Sequence, residues 1–265
     1  MIPRRALVAW VILAGMVWST PWPARGQVGE VTVEIDPATQ AGVSLLTLGV
    51  THMQYSLDPW GDPDAVARAK TLLSSAVRYQ NQHILGFGAD NINPAPGVYD
   101  WESLDRRINL IRSMNAVPVI TLCCAPDWMK GGQPGGTDWT KIEKAPLPSH
   151  YTSFADLARQ VALRYPDVRH YLVWNELKGF WNDAANNWDY VGYTRMYNLV
   201  YDALKSVDSS IQVGGPYLVI EGTGSGRGGW AAASPITDRN RRVLEYWLRN
   251  KRGADFTTPT PSCSR

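Results

Sequence analysis

The sequence predicts an α/β fold in which parallel β-strands alternate with α-helices. Short apolar stretches of strand length alternate with longer amphipathic stretches along most of the 265 residues, and this alternation is typical of repeated βα units. Hydrophobic residues make up 45% of the chain and charged residues 19%, which argues against a disordered chain or a coiled coil. The net charge of +2 gives no reason to expect a nucleic acid or an anionic membrane as a partner.

Six strands are predicted from apolar runs that end at turn residues. The second run is the least regular, because the polar residues Gln80, Asn81 and Gln82 interrupt it. The sixth shows only its beginning before the pattern stops. The predicted strands are 45–50, one within 76–87, 117–122, 171–174, 211–215 and 254–256.

Five helices are predicted between and beside these strands. The clearest follows the second strand, where Leu104, Ile108 and Ile111 recur at helical spacing and Asp100 is placed to cap the first turn. An Asp-Pro turn signal precedes the first helix. The predicted helices are 64–76, 101–114, 151–165, 190–207 and 238–250.

The spacing of the units separates two α/β architectures. Five units span residues 45–253, so a barrel of eight units at this spacing would need roughly 335 residues, within the range of such barrels. Gly224, Gly226 and Gly229 match the G-x-G-x-x-G pattern of nucleotide-binding sheets, but no helix opens after them, and we interpret them as a flexible loop. The sequence therefore predicts an incomplete (β/α)8 TIM-barrel-type domain at 45–256, with about five to six βα units.

Both ends of the chain are predicted to lie outside this domain. Two arginines precede an apolar run at 6–18, a pattern that predicts a signal peptide at 1–26 and a secreted or periplasmic protein. A membrane anchor is the alternative, but the run is shorter than the roughly 18 to 20 residues of a spanning helix. Residues 27–44 are assigned to an N-terminal extension, and the Thr/Pro/Ser-rich residues 257–265 to a disordered tail.

Three cysteines are too few for a disulfide framework. Cys123 and Cys124 are adjacent, and neighbouring cysteines rarely bridge each other without strain, so we expect them to be buried or free thiols at a strand end. Cys263 lies in the tail. Since no Cys/His spacing suggests a zinc site, no metal and no cofactor are predicted.

The strongest local signal is an apolar strand that ends in an amide and a carboxylate, Asn175 and Glu176. In parallel α/β barrels, catalytic groups project from the C-terminal ends of strands. The neighbouring rings of Trp174, Phe180 and Trp181 would desolvate Glu176, raise its pKa and keep it protonated as a general acid. The alternative is that Glu176 caps the following helix or pairs with an arginine.

Two blocks of residues around this strand end resemble glycoside hydrolase family 39. That family includes β-xylosidases and α-L-iduronidases and belongs to the clan of retaining (β/α)8 glycosidases. The resemblance extends over roughly residues 48–256. The matching residues are 97–101, Asp105, 118–120, 126–128, 174–181, Tyr190, Tyr193, Tyr197 and 213–216.

The resemblance implies roles for individual residues. Glu176 would be the acid/base, and Asn175 would hydrogen-bond the 2-hydroxyl of the reacting sugar. From their places in or beside βα loops, Trp128 and Trp181 are the predicted sugar-stacking rings, because flat rings with a polar handle suit sugar faces, although tryptophans in these loops could equally wedge the loops together. His52 follows the first strand and is a candidate for contact with substrate hydroxyls, although a plain loop role is as compatible with its position.

The resemblance is incomplete at the nucleophile. The family takes it from a glutamate at the end of the seventh strand, and the predicted strands stop at the sixth. Asp127, Glu221 and Glu245 are the remaining carboxylates considered, and each has a plainer interpretation as a loop or helix-face residue. Leu177 stands where the family usually has proline, and residues 86–88 replace an arginine that is common near the second strand.

The sequence therefore predicts a glycoside hydrolase that cleaves O-glycosidic bonds by a retaining mechanism, in a truncated chain that lacks the nucleophile-bearing part. Its predicted partner is an oligosaccharide or glycoside substrate, with no nucleic acid and no membrane after signal cleavage. The oligomeric state is left open. The alternatives are a non-catalytic carbohydrate-binding remnant of a glycosidase and assembly with a second chain that supplies the missing strands.

Overall fold

The computed structural model describes residues 46–51, 62–86, 88–220 and 236–261, together with Gly42. The chain divides into two units, Met1–Leu45 and Leu46–Arg265, and every element described below belongs to the second. Some predictions fall on residues outside the described ones, namely the signal peptide, His52, Glu221 and the glycine-rich loop at 224–229.

The strands are β1 (Gly49–Thr51), β2 (Tyr79–His83), β3 (Val117–Leu122), β4 (His170–Val173), β5 (Trp181–Asn182), β6 (Asn187–Trp188), β7 (Gln212–Ile220) and β8 (Phe256–Pro261). Six of them form one sheet in the order β1-β2-β3-β4-β7-β8, in which every neighbouring pair is parallel. The hairpin β5–β6 stands apart from this sheet. Because the spatial order follows the chain without the reversal of a doubly wound sheet, the predicted incomplete (β/α)8 fold is confirmed.

The helices of the described residues are α1 (Pro63–Ala76), α2 (Glu102–Ser113), α3 (Tyr151–Arg164), α4 (Tyr190–Val207) and α5 (Asp238–Asn250). Their bounds agree with the predicted ranges to within one residue at each end. Leu104, Ile108 and Ile111, whose spacing predicted α2, are fully buried. Asp100 accepts the backbone N–H of Glu102 and so satisfies one of the open donors of the first turn of α2.

The core lies between the sheet and the helices that cover it. On α3, Phe154, Leu157 and Val161 are buried, and on α4, Tyr193 and Val200 are fully buried. Each such apolar side chain stabilises the folded state by about 1.5–3 kcal/mol relative to exposure. The site described below is therefore carried by a packed scaffold.

The polar run of β2 is a strand because its side chains find partners inside the sheet. Gln80, Asn81 and Gln82 are all buried. Thr121 on β3 donates its hydroxyl to the Asn81 side-chain oxygen at 2.8 Å, and Asn81 donates to the Thr51 hydroxyl at 3.3 Å. Buried polar groups are tolerated when they are hydrogen-bonded in this way.

The last strand extends further than predicted. Residues 257–261 belong to β8 and pair with β7, so their assignment to a disordered tail was wrong. Proline has no backbone N–H and is confined to positions such as the edge of a sheet, where one side needs no partner. Among the described residues β8 pairs on one side only, which accommodates Pro259 and Pro261.

Buried or free thiols were predicted at the end of β3; the burial is confirmed, and the prediction of thiols was wrong. Cys123 and Cys124 form a disulfide bond between adjacent residues. Both residues are fully buried, and their backbones hydrogen-bond with Leu85 after β2. The disulfide therefore lies in the hydrophobic core, directly after β3.

A buried ion pair organises the long connection from β3 to α3. The Lys130 ammonium lies 2.9 Å from a carboxylate oxygen of Asp127, and both side chains are almost inaccessible to solvent. Lys130 also donates to the Lys141 carbonyl at 3.1 Å, and Asp127 accepts the backbone N–H of Asp138. The ion pair and its hydrogen bonds thus join the start of the connection to residues 138 and 141 further along it. This supports the interpretation of Asp127 as a residue that shapes this loop.

Within the described part of the chain, no helix has the length and apolar character needed to cross a membrane. In the same residues no group of three or more His, Cys, Asp or Glu side chains is placed to hold a metal ion.

We predict that Lys130→Met lowers the free energy of unfolding by about 3–5 kcal/mol, because it leaves the Asp127 carboxylate buried without its cation. The matched control is Lys141→Met, which removes an exposed pair with Asp138 and should cost less than about 1 kcal/mol. Urea denaturation at pH 7 measures both. Equal losses in the two variants would contradict the role given to the buried pair.

Candidate active site

Two strand ends meet at the carboxyl edge of the sheet. His83 is the last residue of β2, and Trp174, Asn175 and Glu176 follow β4. The two strands are joined in register through β3. The side chains of His83 and Asn175 are close enough to interact, and both residues are buried.

The chain turns sharply after β4. Trp174, Glu176 and Leu177 have positive φ angles of 70°, 52° and 52°. These angles lie in the left-handed region of backbone conformation, which residues other than glycine rarely adopt. Each such residue costs of order 1–3 kcal/mol and persists only where the surrounding structure fixes it. Strain of this kind concentrates at functional sites, and here it falls on Glu176 itself.

Packing and hydrogen bonds around Trp174 hold this turn. The indole N–H of Trp174 donates to the Lys178 carbonyl at 2.6 Å, and the Lys178 backbone N–H donates to the Asn175 carbonyl at 3.1 Å. The buried ring packs edge-on against Phe154 and Phe180. The turn is therefore fixed from the core side.

Glu176 lies beside a cation that the sequence analysis did not consider. Its side chain is 27% exposed, and one carboxylate oxygen lies 3.2 Å from the Lys178 ammonium. The same ammonium lies 2.9 Å from a carboxylate oxygen of Glu143, in the connection between β3 and α3. Glu176 thus pairs with a lysine rather than an arginine, and the next helix, α4, is capped by Asp189 instead.

The pKa of Lys178 is raised above its ordinary value. Partial burial works in the opposite direction, but the hydrogen bonds and charges of Glu143 and Glu176 outweigh it. Lys178 is therefore a stable cation between two carboxylates.

His83 is a neutral imidazole. Burial lowers its pKa to about 3, against the opposing effect of the nearby Asn175 side chain, and the charge of Lys178 lowers it further. His83 therefore lies beside the Asn175 amide without adding charge to the site. The sequence analysis did not single out His83, although its place at the end of a polar strand was a usable signal.

Gly179 lets the connection that carries Glu143 approach the turn. Its φ is +77°, and a Cβ at this position would overlap the backbone of Glu143, Lys144 and Ala145. The close approach brings Glu143 within reach of Lys178. The spacing of 35 residues between Glu143 and Lys178 left no sequence pattern from which to predict this pair.

The two predicted stacking rings have different environments. Trp128 is partly buried, donates its indole N–H to the Asn93 carbonyl at 3.0 Å and packs against His150, which indicates that it wedges the loop. Trp181 is 43% exposed on the hairpin β5–β6, and its indole N–H donates to Asp183 at 2.9 Å. Only Trp181 combines exposure with a fixed ring.

The other carboxylates considered from sequence lie elsewhere. Glu245 pairs with Arg241 on the solvent face of α5, as its interpretation as a helix-face residue predicted. Asp127 is held by Lys130 inside its loop.

A cavity of about 800 Å³ opens on the inner face of the sheet, lined in part by Tyr79, Asn81, His170 and Phe256. Glu176 is not among its lining residues. The candidate site is instead at the carboxyl edge of the strands, where parallel barrels place their chemistry.

The fold and this edge define the class of domain, an incomplete (β/α)8 domain with a glutamate and an amide at the open end of β4. Three solved structures share the fold, and at these identities the likeness concerns the fold alone. The first is a family 39 β-xylosidase from Caulobacter crescentus, with a TM-score of 0.53 and 22% identity, over 81% of this chain and 45% of that chain. The second is a family 39 enzyme from Xanthomonas axonopodis pv. citri, with a TM-score of 0.52 and 22% identity, over 81% of this chain and 40% of that chain. The third is xylanase B from Clostridium stercorarium F9, with a TM-score of 0.50 and 16% identity, over 80% of this chain and 61% of that chain.

Among curated proteins, the chain is similar to a β-xylosidase from Geobacillus stearothermophilus, with 32% identity over 130 residues that cover 45% of this chain and 25% of that protein. No family model matches the chain. The chain thus spans about a quarter of this relative's length. The resemblance to glycoside hydrolase family 39 predicted from the sequence is confirmed by these similarities.

We predict that Gly179→Ala destabilises the protein more than Gly135→Ala. Both glycines have positive φ, but an added Cβ meets nothing within 4 Å at Gly135 and meets backbone at Gly179. Backbone strain alone costs about 1–2 kcal/mol, and overpacking at Gly179 adds about 1–3 kcal/mol. Chemical denaturation of the two variants gives the difference, and equal losses would show that the close approach is not a constraint.

We predict that His83 makes stability fall as the pH falls. The folded-state pKa of about 3 lies below the ordinary 6.5, so between these values the unfolded chain binds the extra proton. The free energy of unfolding then decreases by up to about 1.4 kcal/mol for each pH unit lost. Urea denaturation from pH 7 to pH 4 should give a shallower slope for His83→Gln than for the wild type. An unchanged slope would contradict the neutral buried ring.

Proposed function

We propose that the chain carries the acid/base half of a retaining glycoside hydrolase site and acts on β-xylosides or closely related glycosides. The observation that carries the proposal is the pair Asn175 and Glu176 on a fixed turn at the carboxyl end of β4. The similarity to a β-xylosidase covers part of both proteins and supports the choice of sugar.

Asn175 is suited to hold the sugar. Its amide is buried and lies beside the neutral His83. In the proposed mechanism it hydrogen-bonds the 2-hydroxyl of the reacting unit, a contact that strengthens in the transition state of glycoside hydrolysis.

Glu176 supplies the proton transfers. As the acid it gives a proton to the glycosidic oxygen while that oxygen leaves the anomeric carbon and a carboxylate nucleophile bonds to the same carbon. As the base it takes a proton from the water that then displaces the nucleophile. Family 39 draws the nucleophile from a later strand of the barrel, so the proposal for these residues concerns the acid/base half of the reaction.

Lys178 holds the Glu176 carboxylate in place. Its ammonium lies 3.2 Å from a carboxylate oxygen of Glu176. Glu143 holds the ammonium in place from the other side.

We also propose that the protein is exported. The proposal rests on the arginine-led apolar run and the small residues at the end of residues 1–26.

We predict that Glu176→Gln lowers kcat/KM for an aryl β-xyloside with a poor leaving group by about 10²–10⁴-fold, the usual contribution of a general acid. A dinitrophenyl leaving group needs little protonation, so with that substrate the loss should be much smaller. Steady-state assays of both substrates measure the contrast.

The matched control is Glu245→Gln, which removes a carboxylate from the solvent face of α5 and should leave the kinetics unchanged. Turnover that survives Glu176→Gln with the poor leaving group would remove the assigned role. Saccharide binding without turnover in the wild type would favour the carbohydrate-binding alternative.

A further inference from the structure

Tyr193, in the first turn of α4, contacts the turn that carries Asn175 and Glu176. Its side chain is fully buried, and its hydroxyl donates to the carbonyl of Val173 at 3.0 Å. Val173 is the last residue of β4, and the left-handed turn begins with the next residue, Trp174. The hydroxyl therefore holds the point at which the strand ends and the turn begins.

The pairing of β4 with β7 stops one residue before β4 ends. Its last pair joins Leu172 to β7, so Val173 lies beyond the ladder on that side. Towards β3, the hydrogen bond at this level runs from the Trp174 N–H to the Leu122 carbonyl. A buried backbone carbonyl without a donor costs free energy, and Tyr193 supplies the donor for Val173.

The ring of Tyr193 holds the other end of the turn. It packs edge-on against Phe180, with 5.6 Å between the ring centroids, and Phe180 packs edge-on against Trp174 at 5.5 Å. Phe180 follows Gly179, and its backbone N–H donates to the Leu177 carbonyl at 3.1 Å. One side chain thus contacts both ends of the turn, through its hydroxyl at the start and through its ring at the end.

The backbone at the start of α4 is joined to the same segment. Asp189 donates its N–H to the Phe180 carbonyl at 2.6 Å, and its own carbonyl accepts the N–H of Tyr193 at 2.9 Å. Its carboxylate caps the helix by accepting the Gly192 N–H at 2.8 Å. Tyr193 is therefore tied to the end of the turn by two consecutive backbone hydrogen bonds, and its side chain acts from a fixed position.

Two features keep the Tyr193 hydroxyl in this position. Burial raises the pKa of Tyr193 well above its ordinary value, and the charge of Tyr197 acts in the same direction, so the hydroxyl stays protonated and donates. A Cβ at Gly215 on β7 would lie 2.7 Å from the Tyr193 oxygen. The absence of a side chain at Gly215 therefore leaves the space that the hydroxyl occupies.

We propose that Tyr193 is a positioning residue for Glu176, which acts through the backbone of the turn and, being fully buried, contacts no substrate. This role rests on the proposed acid/base function of Glu176. Loss of the hydroxyl would release the start of the turn while Phe180 still holds its end, so the carboxylate would lose its fixed placement. A misplacement of about 1 Å costs as much as about 10²-fold in rate.

The test compares Tyr193→Phe with Tyr197→Phe in the full chain. Tyr197 lies one turn further along α4, is fully buried and donates its hydroxyl to the Gly253 carbonyl at 2.9 Å, outside the turn. Each variant removes one hydroxyl from one hydrogen bond and keeps the ring. Urea denaturation should therefore give similar losses of stability, which makes the second variant a matched control for general destabilisation.

The first readout is amide hydrogen exchange measured by NMR, and it needs no turnover. The backbone N–H groups of Lys178 and Phe180 donate to carbonyls within the turn. Tyr193→Phe should speed their exchange at least about tenfold more than Tyr197→Phe does, because it opens the turn locally.

The second readout is steady-state hydrolysis of aryl β-xylosides. Tyr193→Phe should lower kcat/KM at least about tenfold for a poor leaving group and much less for a dinitrophenyl leaving group, which needs little protonation from Glu176. Tyr197→Phe should change neither value. A residue that only stabilises the fold would act on both substrates alike.

Several results would overturn the proposal. These are equal exchange in the turn of the two variants, equal losses of kcat/KM in both, the same loss for both substrates in Tyr193→Phe, or loss of the fold in Tyr193→Phe alone. Faster exchange in the turn of Tyr193→Phe, in a chain whose wild type hydrolyses neither substrate, would refute the proposed function and support the hold of Tyr193 on the turn.

Discussion

One turn of backbone governs the candidate site. The indole N–H of Trp174 donates to the Lys178 carbonyl, and the buried ring is locked by the aromatic side chains around it. This combination keeps Glu176 in a left-handed conformation that an unsupported chain would leave. The direction of the carboxylate is thus a consequence of packing in the core. Any change that loosens the Trp174 ring should act on Glu176 even though it removes no catalytic group.

The site also depends on the balance of charge around a single lysine. Lys178 lies between Glu176 and Glu143, and the approach that makes this possible is allowed only because residue 179 has no side chain. The amide of Asn175 lies beside a histidine, His83, that burial keeps neutral. The carboxylate thus has a charged neighbour and the amide an uncharged one. This arrangement separates proton transfer from sugar recognition.

The loops that build the site are fixed with unequal strength. The connection from β3 to α3 is closed by a buried ion pair and a set of backbone hydrogen bonds. The hairpin β5–β6 is held mainly by ring contacts and a side-chain hydrogen bond near the surface.

The sequence by itself determined the helices, the sequential strands and the strand end that carries Asn175 and Glu176, because each of these depends on the periodicity of neighbouring residues. It did not determine the roles of His83, Lys178 and Glu143, since their contacts join residues far apart in the chain. It missed the strand at Phe256–Pro261 because an edge position relaxes the rule against proline. It also missed the disulfide between Cys123 and Cys124, where tertiary packing overrode the local expectation. Local periodicity thus fixed the elements, and only the tertiary structure decided which charges and rings meet at their ends.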